Sequence, residues 1–131
     1  MKQKERKMGK KIRILVSELK VEAELNESKT AQLISEALPI QAKASLWGEE
    51  IYFAIPVKTG LEQGAREVVS VGELGYWPTG HAFCIFFGRT PASRGDEIRA
   101  ASPVNIVGKV LSDPKVFLKV KEGAKIVLEK V

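Results

Sequence analysis

The sequence contains one cysteine, one histidine and no apolar run longer than six residues. A lone Cys84 excludes an internal disulfide framework and any zinc site built from several thiolates. A lone His81 excludes metal sites that need several imidazoles. The longest apolar run, residues 82–87, falls far short of the roughly 20 residues with which a helix crosses a bilayer. Also missing are HExxH, GxSxG, the phosphate-cradling GxxxxGK and the dinucleotide fingerprint GxGxxG. Gly72, Gly75 and Gly80 are spaced as turn residues instead. The apolar stretch at 12–16 that follows the basic start is too short for a secretory h-region, so the chain reads as cytoplasmic.

What remains is a chain of 131 residues, 44% hydrophobic and 28% charged, the profile of one soluble domain. Its net charge of +5 is unevenly placed. Lys2, Lys4, Arg6, Lys7, Lys10 and Lys11 face only Glu5 within residues 1–11, whereas residues 12–131 balance 15 basic against 15 acidic groups. This predicts a basic, disordered tail over 1–11 and a single domain over 12–131. A neutral body argues against a nucleic-acid partner, leaving only the tail to attract phosphates.

Alternation of apolar and polar residues dominates the body. Val21, Ala23 and Leu25 alternate with Glu22 and Glu24, the signature of a strand with one face in water. Further strands are expected at 12–16, 40–46, 51–55, 66–71, 74–77, 82–87, 104–110 and 125–130. Such a series of short strands suggests a closed barrel or a sandwich. One longer helix begins at the N-cap Ser28, carries Ala31, Ile34 and Leu38 on its apolar stripe and stops before Pro39. A short second one is bounded by Asp113-Pro114 and Gly123. Both are expected to cover the ends of the barrel. The sixteen residues 88–103 form a long loop, a natural rim for a site.

Candidate chemistry is sparse. Tyr76-Trp77-Pro78-Thr79-Gly80 is the sharpest local signature: Pro78 and Gly80 suit a β-turn, Trp77–Pro78 is a candidate cis bond, and the aromatics combine apolar area with a donor. Glu49 and Glu50 are adjacent on an extended chain, so they point apart and cannot form a dyad. One of them, Glu49, is assigned to a pocket. His81 and Cys84 are at odd spacing on a strand and face opposite sides, which removes a thiol–imidazole pair. Arg89, with Arg94 and Arg99, offers guanidinium groups from the long loop, and Thr90 a hydroxyl.

Four segments carry a resemblance: residues 47–53 (Trp-Gly-Glu-Glu-Ile-Tyr-Phe), 72–80 (Gly-Glu-Leu-Gly-Tyr-Trp-Pro-Thr-Gly), 83–91 (Phe-Cys-Ile-Phe-Phe-Gly-Arg-Thr-Pro) and 101–110 (Ala-Ser-Pro-Val-Asn-Ile-Val-Gly-Lys-Val). Together they resemble a small prokaryotic family of cyclophilin-like proteins whose function is uncharacterised. The resemblance implies a mainly β fold, a closed antiparallel cyclophilin-like barrel of about eight strands with one longer and one short helix over its ends. True cyclophilins are more distantly similar through Phe53-Ala54-Ile55-Pro56, Gly72-Glu73-Leu74 and Val107-Gly108-Lys109-Val110. Yet no arginine lies between Gly48 and Ala65, where those isomerases carry the guanidinium that polarises the prolyl amide, and residues 92–103 hold neither of their tryptophan and histidine.

The expected function is therefore binding of a small molecule or short peptide, without cofactor or metal, and without prolyl isomerase activity. A weak peptidyl-prolyl isomerase is the enzymatic alternative. The expected ligand-binding residues are Glu49, Tyr52, Tyr76, Trp77, His81, Arg89 and Thr90. No catalytic residue is assigned.

Overall fold

The alternation of Ile12, Ile14 and Val16 with Lys11, Arg13 and Leu15 becomes β1 (Lys10–Val16), whose first set is fully buried. A two-residue turn with Ser17 in the left-handed region (φ 54°) returns the chain into β2 (Leu19–Leu25). The computed structural model describes residues 9–131. Most of the expected basic tail thus lies outside the described residues. Its last two members do not behave as a tail: Lys10 and Lys11 pair with Leu25 and Glu24.

Ser28 caps α1 (Lys29–Ala37) by accepting from the Ala31 amide at 3.1 Å, and the helix buries Ala31 and Ile34. It ends at Leu38, ahead of a cis Leu38–Pro39 bond; Trp77–Pro78 is not cis. Then follow β3 (Ile40–Lys43), β4 (Ser45–Leu46), β5 (Glu50–Ala54), β6 (Arg66–Val69), β7 (Glu73–Trp77), β8 (Ala82–Phe86), β9 (Ile98–Val110) and β10 (Lys125–Lys130). A 3-10 turn at Pro78–Gly80 links β7 to β8, and a second at Pro114–Lys119, capped by Asp113, sends Phe117 into the core.

The ten strands form one antiparallel sheet in the order β3-β10-β1-β2-β9-β7-β8-β5-β4, with β6 attached to β9. The ladder does not close by hydrogen bonds, so the expected closure is not confirmed. Its two ends, β3 and β4, are consecutive in the chain and separated only by Ala44. There the segment bends: β3 pairs with β10 alone and β4 with β5 alone. Ala44 bonds instead to the approach to β10, donating to the Ala124 carbonyl (2.8 Å) and accepting from the Gly123 amide (2.7 Å). No residue of 40–46 has strand partners on both sides, so the ladder has an end on either side of Ala44.

The inner face holds the main core, including Ile12, Ile14, Leu25, Ile51, Phe53, Leu74, Tyr76, Phe83, Ile85 and Phe117. A second, smaller core lies on the opposite face of β5, β7 and β8, where Val69, Cys84, Phe86, Ile98, Ala100 and Val104 cluster with Tyr52, Trp77 and Ile106. It exists because β9 is thirteen residues long. Its C-terminal part pairs with β2 and β7, while its N-terminal part, with β6, folds back over the outside of the sheet. Pro103 falls where the β6–β9 register shifts, so its missing N–H costs no ladder bond. The expected loop at 88–103 is correspondingly shorter, for residues from Ile98 onward are strand.

Candidate functional site

Between this folded-back layer and the sheet lies a cavity of about 210 Å³, lined by Trp47, Glu50, Tyr52, Trp77, Cys84, Ala100, Ala101 and Val104. Strand register explains the set. Tyr52 pairs with Cys84, and Cys84 with Gly75, so all three share the outer face. Glu50 and Trp77, two residues from Tyr52 and Gly75 on their own strands, share that face too. Gly75 supplies clearance: a Cβ there would stand 3.2 Å from both Phe86 and Val104. At the near end, Gly48 turns the chain at φ 60°, so close to Thr90 that a Cβ would lie 2.8 Å from its Cα. This turn delivers Trp47 and Glu50 to the cavity.

Glu50 is the unusual member. It is only 5% exposed, and its Oε1 has no hydrogen-bond partner among the described residues. Burial raises its pKa from 4.5 to about 7, a shift that the adjacent Cys84 thiol only partly offsets. Burial, followed by the charge of Glu50, pushes the Cys84 thiol well above its ordinary value, so Cys84 is a protonated, apolar wall rather than a nucleophile. Trp77 is held in place by its Nε1–H, which donates to Ser102 Oγ at 2.6 Å.

Of the expected site residues, Tyr52 and Trp77 line this cavity and the other five do not. Tyr76 is fully buried in the inner core, donating its hydroxyl to the Val57 carbonyl at 2.6 Å. Neighbours on a strand point apart, so Tyr76 and Trp77 could never have faced one cleft. Glu49 packs against Gly88, and it is Glu50 that turns to the cavity. His81 is an exposed residue with φ 49° at the start of β8. Thr90 is buried as a staple of the 87–97 loop, where its hydroxyl donates to the Arg99 carbonyl and its amide to Ser93 Oγ. Arg89 is exposed and donates to the Ser93 carbonyl at 3.4 Å.

None of the described arginines lines the cavity. Arg66 pairs with Glu73 at 2.9 Å, and Arg99 with Glu67 and Glu97 at 2.7 Å each. A second depression of about 570 Å³, bounded by Asn26, Val71, Glu73, Lys109 and Pro114 among others, is more open and, among the described residues, presents no buried unpartnered side-chain group.

This arrangement belongs to a known architecture. A family model described as cyclophilin-like matches residues 10–129. The chain is a member of the cyclophilin-like family. This cyclophilin-like chain is also similar to a hypothetical protein from Archaeoglobus fulgidus, known from a solution structure. The TM-score is 0.81 at 36% identity, over 97% of this chain and 98% of the other. No curated protein matches it. Among the described residues of this cyclophilin-like chain, no helix is long and apolar enough to cross a membrane.

Proposed function

We propose that this cyclophilin-like domain binds a small molecule, or one side chain of a short peptide, in the outer-face cavity, and that it does so in the cytoplasm without isomerising prolyl bonds. The observation that carries the reading is Glu50: a carboxyl 95% buried, unpartnered at Oε1, and set among Trp47, Tyr52 and Trp77. An unpaired buried acceptor costs about 1–3 kcal/mol, and it is kept where an occupant can supply the missing partner. Apolar walls with one convergent polar group are the usual composition of a ligand site. Fold alone does not argue for catalysis. That none of the described lining residues carries a guanidinium supports the non-catalytic reading.

Fragment screening by two-dimensional NMR tests the binding half. Hits should move the Trp77 indole resonance and the amides of β5 and β8, and Ala101→Leu, which fills the mouth of the cavity, should abolish those shifts. Shifts confined to the groove around Val71 and Lys109 would place the ligand elsewhere. A protease-coupled assay on a proline peptide tests the other half: the slow phase, tens to hundreds of seconds uncatalysed, should be unchanged by the protein. Acceleration that disappears in Tyr52→Phe would make the protein an isomerase.

A further inference from the structure

We propose that the occupant of this cavity is a compact organic cation, an ammonium group bearing methyl or short alkyl substituents, with its charge against Glu50 and its alkyl surface on Trp47, Tyr52 and Trp77. The inference rests on the binding function proposed above and narrows it to one chemical class.

The lining decides between classes. Three of its eight side chains are aromatic, one is a carboxyl, and none is lysine, arginine or histidine. An anion would meet a carboxyl with no base to offset it. A purely apolar guest would desolvate Glu50 further and leave Oε1 unpartnered. A neutral donor such as an amide satisfies the oxygen but gains nothing from the electron-rich rings. An ammonium group uses both, since a desolvated cation is attracted by aromatic π systems and forms a charge-assisted contact with a carboxylate. The Trp77 N–H is already committed to Ser102, so the indole offers an occupant its π surface and not a donor. At about 210 Å³ the space is below the range that holds drug-sized ligands, which limits the guest to a headgroup.

Protonation supports the same class. With the cavity empty, Glu50 is close to half protonated at neutral pH, and a bound cation favours the carboxylate. Binding therefore releases a proton, and affinity falls as pH drops below about 7. The other titratable groups facing Glu50 are Cys84 on β8 and Tyr52 on β5; β7 and β9 contribute only Trp77, Ala100, Ala101 and Val104 to the lining.

The test uses choline and its uncharged isostere, in which a quaternary carbon replaces the nitrogen, each titrated into the full chain with tryptophan fluorescence and calorimetry as readouts. Choline should bind about tenfold or more tightly than the isostere at about pH 8. Its affinity should drop severalfold by about pH 5.5, with a proton released on binding near neutrality. Glu50→Gln should remove the preference, and the pH dependence of the unmodified chain stands as the readout if that variant fails to fold. Equal or tighter binding of the isostere overturns the cation assignment and leaves the cavity as a binding site. If neither probe binds and the fragment screen also finds no ligand in the cavity, both readings fall.

Discussion

At the scale of single residues, Glu50 is where fold stability and function pull against each other. In the unfolded chain its carboxyl titrates near 4.5, and in the fold near about 7. Between these values the folded state keeps a proton that the unfolded state has lost, so Glu50 makes stability fall as pH rises from about 4.5 to about 7. The separation corresponds to about 3 kcal/mol, present in full above that range. Glu50→Gln should therefore unfold about 10 °C higher than the unmodified chain at about pH 8, and the two melting curves should converge near pH 4. A melting difference independent of pH would show that Glu50 does not titrate in this interval. Adjacency of Glu49 and Glu50 in the sequence says that they diverge but not which one meets a cavity. That choice depends on a layer folded over the outside of β5, and no local pattern announces it.

At the scale of elements, the 55–65 connection is pinned by one buried amide. Asn105 Nδ2 donates to Thr30 Oγ1 and to the Gly60 carbonyl at 3.0 Å each, and its Oδ1 accepts from the Glu62 amide at 2.8 Å. Glu62 in turn accepts from the amide and hydroxyl of Thr30 in the first turn of α1. Asn105→Ala should cost about 2–3 kcal/mol. Hydrogen exchange should rise in residues 56–65 and the first turn of α1 while β7 and β8 stay protected. Ser28→Ala, which removes only the cap, should cost about 1 kcal/mol. The cap, the stripe at Ala31 and Ile34 and the stop at Pro39 were all legible, because a helix end is specified by neighbours in sequence. The Asn105 link joins residues 75 positions apart and was not.

At the scale of the whole molecule, the sheet depends on its last strand. β10 lies between β1 and β3, and Ala44, the hinge that joins the two ends of the ladder, bonds to Gly123 and Ala124. Deleting residues 124–131 strips partners from β1, β3 and the hinge together, and removes the fully buried Ile126 and Leu128. Such a chain should show no cooperative thermal transition in circular dichroism, whereas the full chain should unfold in one step. A cooperative transition in the shortened chain would mean that the remaining strands form an independent core.

The sequence by itself determined a mainly β fold, nearly every strand and the capped helix, since period and caps are local properties. It also held one clue to the second core: Ala82–Phe86 is apolar at every position and buried at every position, as a strand covered on both faces must be. Only the tertiary structure decided that the ladder stays open at Ala44, that Ile98–Ser102 is strand rather than loop, and that Glu50 and Trp47 join Tyr52 and Trp77 around one cavity. The last two outcomes follow from the folding back of β6 and the first half of β9 over the sheet. That contact is made between residues far apart in the chain, where burial of apolar surface, not local preference, selects the partner.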